Sequence, residues 1–215
     1  MVRCAAALSS EFLEAGGNFW LRARVQRYLW QPNRPRKAAL NRNAVIRDIE
    51  HLKSTGGAYI GLHIRLTDNV DTIRRDFMFE PKRMFALDNF LKIARQIRSV
   101  HSNVSTLFVA TDSRDVEEEV TRRAPAEGWR LIIQPHSQAQ RVTGHEWLWF
   151  KKPNAGQAVD GVIADVEFLR RADFLVGSMI SNVFRLAAEL NYASRTRAPK
   201  WRTIHTLDLP WYQHP

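Results

Sequence analysis

The strongest constraint in this sequence is an alternation. Short apolar runs at 58–64, 106–110, 129–133 and 174–177 are separated by stretches whose apolar residues recur at helical spacing. Runs this short read as buried strands, and the intervening stretches read as helices that cross from one strand to the next. The pattern predicts an α/β domain with a mainly parallel sheet and helices on both faces. Before the first strand, one helix is expected over 10–29, stopped by Pro32 and Pro35, and a second over 37–53. Pro81 is expected to open the helix that ends near Ile97, and Asp112 or Ser113 to cap the one after the second strand. A long polar loop over 134–157, a helix over 159–171 and another from Ser181 follow, and the tail 200–207 could add a last strand.

Composition narrows the class further. With 215 residues the chain fits one domain or at most two small ones. Cys4 is the single cysteine, which excludes an internal disulfide framework and any cysteine-based zinc site. No apolar run approaches the ~18 residues of a membrane helix, and polar Ser9, Ser10 and Glu11 follow the first apolar residues too soon for an export signal. The formal net charge is +10, and arginines outnumber lysines 25 to 7. Between Trp20 and Arg47 stand eight basic residues and no acidic one. Such a stretch suits an anionic partner (nucleic acid, a phosphorylated small molecule or a membrane surface) or simply a solvated helix face.

In open parallel sheets ligands bind beyond the carboxyl ends of the strands, so chemistry is sought there. After the first strand come His63, Arg65, Thr67 and Asp68, after the second Thr111, Asp112 and Ser113, and after the fourth Gly177, Ser178, Ser181 and Asn182. A Gly- and Ser-rich turn entering a helix offers N–H groups and hydroxyls to a phosphate, with Arg65 as counter-charge. The plainer alternatives are N-capping by Ser178 and Ser181 and a surface ion pair for Arg65. Asp165 lies among apolar neighbours on its helix, where it could face the donor-rich edge of guanine or bond to backbone or arginine. Glycine-rich phosphate loops, a Gly-x-Ser-x-Gly elbow, metal-ligand histidine spacing and an Asp-x-Asp pair are all absent from the sequence. A metal-independent phosphate site fits these residues best. No zinc-finger spacing or aromatic RNA-binding motif supports nucleic acid as the partner.

Four ordered segments carry a family resemblance: Gly61-Leu62-His63-Ile64-Arg65-Leu66-Thr67-Asp68, Val109-Ala110-Thr111-Asp112, the segment 161–169 around Asp165, and 172–185. With flanks at 19–32 and 205–208, they resemble the C-terminal half of the α-1,6-fucosyltransferases of glycosyltransferase family 23. The resemblance covers about residues 19 to 212, with 1–18 as a lead-in to one Rossmann-like domain over 19–215. It implies the donor-binding half of a GT-B fold and inverting, metal-independent transfer of fucose from GDP-fucose to the 6-hydroxyl of a GlcNAc in an N-glycan core. No cofactor is expected beyond that donor, and the partners implied are GDP-fucose and a GlcNAc-containing acceptor, with no nucleic acid and no membrane insertion.

By the same resemblance His63 and Asp165 contact guanine, Arg65 holds the diphosphate, Ser181 and Asn182 bind phosphate, and Asp68 and Asp112 shape the site. Asp76, with Asp71 as the other choice, stands in for the family's glutamate base. The family's second arginine is Leu66 here, a family lysine is Asn69, and the second acid after Ala-Thr-Asp is Ser113. The family's acceptor-side domain, membrane anchor and SH3-like domain find no counterpart in these 215 residues. The family works in the Golgi lumen, so that is the expected compartment. A catalytically impaired or inactive GDP-sugar-binding module is the alternative reading.

Overall fold

The structure, a computed structural model, describes residues 17–66, 86–134, 155–194 and 203–208. In chain order these form α1 (Gly17–Leu29), α2 (Arg34–Arg42), α3 (Ala44–Ser54), β1 (Ala58–Ile64), α4 (Leu87–Val100), β2 (Val104–Thr111), α5 (Arg114–Ala126), β3 (Arg130–Ile133), α6 (Ala155–Arg170), β4 (Phe174–Gly177), α7 (Asn182–Ser194) and β5 (Ile204–Thr206). The five strands form one sheet in the order β3-β2-β1-β4-β5, and every pairing is parallel. This is the α/β, Rossmann-like arrangement expected, and the last strand is present. No helix among the described residues is long and apolar enough to cross a membrane.

The central strand explains the layering. All seven residues of β1 are buried, as a parallel strand covered on both faces must be. Successive side chains point to opposite faces. Ala58, Ile60, Leu62 and Ile64 join Phe90, Leu91 and Ala94 of α4 and Val116 and Val120 of α5 in one apolar cluster. Tyr59 joins the other, with Ile46 and Ile49 of α3, Phe168 and Leu169 of α6 and Phe184 and Ala188 of α7. Tyr59 is anchored at both ends: its hydroxyl donates to the Phe168 carbonyl at 2.7 Å, and its N–H donates to Asp173 Oδ2 at 3.0 Å. Burial, then the nearby Asp173 carboxylate, push the Tyr59 phenol well above its ordinary value.

Several boundaries depart from the sequence expectation. α2 begins at Arg34, with Pro35 in its first turn, rather than at 37, and α4 begins at Leu87, behind the cap position Ala86, rather than at Pro81, which lies outside the described residues. The helix expected over 37–53 is two helices broken at Asn43, whose backbone is extended. Its N–H donates to Leu40 O at the end of α2, while its Oδ1 accepts from Val45 N at the start of α3. One residue thus stops one helix and caps the next. The helix expected from 159 begins earlier, at Ala155. The cap before α5 is Ser113 rather than Asp112, with Ser113 Oγ accepting from Val116 N at 3.4 Å.

The basic helices dock onto this frame through specific pairs. Arg22 of α1 meets the buried Glu189 of α7 at 2.7 Å, and Arg27 donates to the Ala193 carbonyl at 2.7 Å. Phe19 packs edge-on against Tyr192, with ring centroids 5.1 Å apart. Arg36 of α2 reaches Asp160 of α6 at 2.7 Å. The opposite stripe of α1, from Leu21 and Val25 to Tyr28 and Leu29, is exposed.

Candidate functional site

Strand register assembles the site. His63 pairs with Ala110 across β1 and β2. On the other side Leu62 pairs with Val176, which sets His63 beside Gly177. Two small neighbours therefore flank the imidazole and leave room above it on the α6–α7 face. Part of that room is taken by Phe184: its ring lies 6.1 Å from that of His63, and a Cβ built at Gly177 would come within 2.2 Å of it. Glycine is required at 177 for this close approach, since its backbone is otherwise ordinary.

Asp165 is brought to the same level by the crossover. Leu169 of α6 lies against Gly61, where a Cβ would meet its side chain at 3.0 Å. Two residues on along β1, about 7 Å, is His63. One turn back along α6, about 6 Å, is Asp165. Asp165 is half-buried as a residue, but its Oδ1 is enclosed. Burial raises its carboxyl from 3.8 to about 8. Burial lowers His63 from 6.5 to about 4, opposed by Asp112 and assisted by Arg65. Its Nδ1 is buried and has no hydrogen-bond partner among the described residues. Burial thus favours the neutral form of both groups.

One step further toward the rim, the register sets Arg65 opposite Asp112. Arg65 Nε lies 3.7 Å from Asp112 Oδ2, both side chains being about a quarter exposed at 27% and 20%. Asp112 Oδ1 also accepts from Leu66 N at 3.0 Å, which fixes the start of the segment leaving β1. The Leu66 side chain turns away, packing with the cluster on the α4–α5 face. The ion pair expected as the plainer role of Arg65 is therefore present, and it holds the guanidinium at the rim.

The β4–α7 turn completes the rim. Ser181 is buried and its Oγ accepts a long hydrogen bond, 3.5 Å, from Phe184 N. Asn182 is exposed, and its Oδ1 accepts from Arg185. An acid that the sequence reading left without a role, Asp208, enters this turn from beyond β5. It accepts from Ser178 Oγ at 2.7 Å, Met179 N at 2.8 Å and Ile180 N at 3.0 Å. Part of what looked like free donors for a phosphate is thus already used. The signal that could have located Asp208 is its position two residues past a strand whose last member, Thr206, pairs with Gly177.

Of the residues singled out in the sequence, His63, Arg65, Asp112, Asp165, Ser181 and Asn182 lie at the carboxyl rim or on the helices over it. Asp68, Asp71 and Asp76 lie outside the described residues. A small cavity of about 150 Å³ opens nearby, between α2, the end of β3 and α6, lined by Arg36, Asn43, Gln134, Asp160 and Ala164. Among the described residues no group of three or more His, Cys, Asp or Glu stands close enough to hold a metal ion.

A family model described as alpha-(1,6)-fucosyltransferase N- and catalytic domains matches residues 9–211. The alpha-(1,6)-fucosyltransferase of Drosophila melanogaster is 27% identical over 135 residues, covering 61% of this chain and 19% of that protein. The match therefore spans about a fifth of that relative's length. With nearly the whole chain inside the family model, this protein belongs to the alpha-(1,6)-fucosyltransferase family.

Proposed function

We propose that this chain binds GDP-fucose at the carboxyl rim of its sheet and serves as the donor-binding half of an inverting fucosyl transfer to the 6-hydroxyl of a GlcNAc in an N-glycan core. The observation that carries the reading is the convergence on one sheet face of His63, Arg65 and Asp112 at the ends of two adjacent strands, with Ser181 opening α7 alongside. In this reading His63 and Asp165 read the guanine edge, where a carboxyl can accept from the ring N1–H or the exocyclic amino group. Arg65 and the N-terminus of α7 offset the charge that builds on the diphosphate, in place of a divalent cation. The acceptor hydroxyl attacks fucose C1 on the face opposite GDP. The new C1–O bond forms as the bond to the β-phosphate oxygen breaks, and a carboxylate takes the hydroxyl proton. Asp76, with Asp71 as the other choice, is assigned that last role through the family resemblance, and Asp68 helps shape the site. The working compartment is then the Golgi lumen.

A second reading, a GDP-sugar-binding module with impaired transfer, is favoured by one observation. Leu66 stands where the family has a second arginine, and it packs into the core on the far face. Calorimetric titration with GDP and GDP-fucose tests both readings. Arg65→Ala is expected to weaken GDP binding about ten- to a hundredfold, the loss of charge-assisted hydrogen bonds to phosphate. No detectable GDP binding by the unaltered chain overturns both. Fucose transfer to an agalactosylated N-glycan by this chain excludes the second.

A further inference from the structure

We propose that Asp208 is a positioning residue for the diphosphate: an internal carboxylate that occupies the β4–α7 turn and confines the donor's phosphates to Arg65 and the first turn of α7. The inference deepens the donor-site reading above and rests on it.

The chain delivers Asp208 to this spot through the sheet. β5 pairs with β4 up to Thr206 opposite Gly177, and Leu207 N continues the ladder by donating to Gly177 O at 3.0 Å. Thr206 Oγ1 then donates to the Asp208 carbonyl at 2.7 Å, bending the segment over the turn. There the two carboxylate oxygens take three donors, one hydroxyl and two backbone N–H groups. Ser178 Oγ also accepts from Ile180 N at 3.2 Å, so that amide is shared between the hydroxyl and the carboxylate.

Two consequences follow from charge and geometry. A phosphate cannot enter the turn, because its donors are used and a carboxylate already sits among them. The turn is also held in one shape. Ser181 N donates back to Ser178 O at 3.1 Å, and Arg185 N donates to Ser181 O at 3.0 Å, so α7 starts at a fixed place. Among the described residues no hydrogen bond goes to the N–H groups of Asn182 and Val183, which remain the backbone donors on offer. The basic group beside them is Arg185, which reaches back to Asn182 and feels the Asp208 carboxylate.

The experiment compares GDP with guanosine, which shares the base and lacks the phosphates, by calorimetry on the full 215-residue chain. Asp208→Asn keeps the shape of the side chain but removes its charge and one acceptor. The expected result is GDP binding weakened about tenfold, with guanosine binding unchanged within about twofold. Met179 N and Ile180 N lose the acceptor that fixes the start of α7, and this outweighs the relieved repulsion. Ser178→Ala, which removes one of the three donors to Asp208, is expected to move the same ratio in the same direction by less. It also decides the matter if Asp208→Asn does not fold. A merely structural clasp would weaken GDP and guanosine equally, and that outcome overturns the proposal while leaving the donor-site reading intact. Absence of GDP binding by the unaltered chain overturns both.

Discussion

At the scale of single residues, the rim holds two groups whose surroundings push both toward neutrality. Burial depresses His63 to about 4 and lifts Asp165 to about 8. Their effects on stability have opposite signs. The folded His63 resists the proton that the unfolded chain accepts, so its contribution is full above 6.5 and is lost as pH falls toward 4. The folded Asp165 keeps a proton that the unfolded chain has released. Its contribution is full below 3.8 and is lost as pH rises through 8. Below about pH 6.5 the two slopes oppose and nearly cancel, so we expect the urea midpoint of the chain to decline between about pH 6.5 and pH 8. Asp165→Asn, which cannot ionise, should flatten that decline. A variant that declines as steeply as the unaltered chain would show that Asp165 is ionised in the fold. Carboxyls of this kind, enclosed and poised near neutral pH, recur at functional sites.

At the scale of elements, periodicity located helices and strands well but was blind to Asn43. Leu40, Val45, Ile49 and Leu52 hold a helical spacing across it, and all four are buried in the same cluster, so the apolar pattern reads straight through. The cue that was available was the residue type, since asparagine is among the preferred N-caps. Replacing Asn43 with alanine removes the acceptor for Val45 N and is expected to cost about 1 kcal/mol in urea unfolding. A loss below a few tenths would mean that packing alone sets the break. The strands were legible because short apolar runs bounded by glycine have few other uses. The rim residues were legible because they follow those runs directly. Asp208 was not, for its role depends on β5 pairing with β4, a long-range contact that no local spacing contains.

At the scale of the whole molecule, the question is what the +10 charge is for. Much of the arginine is already spoken for inside the chain. Arg22, Arg27 and Arg36 tie α1 and α2 to α7 and α6, while Arg170 and Arg171 converge on Glu167, whose carboxyl they help hold below its ordinary value against burial. The basic stretch Trp20–Arg47 therefore has a structural use that its composition did not reveal. What remains of it lies on helices, and the sequence carries no zinc-finger spacing or aromatic RNA-binding motif of the kind that reads bases. A duplex should consequently bind only through unspecific neutralisation of phosphates. The expectation is a Kd of roughly 10⁻⁴–10⁻⁶ M at physiological salt, the same for unrelated sequences and rising steeply as salt rises. GDP presents one diphosphate to one rim arginine, so the same increase in salt should weaken it by only a few-fold. Fluorescence anisotropy with two unrelated duplexes, run beside the GDP titration at two salt concentrations, separates the cases. Sub-micromolar or sequence-selective duplex binding that outlasts the salt would reassign the excess charge to nucleic acid, and the rim would then be the lesser site.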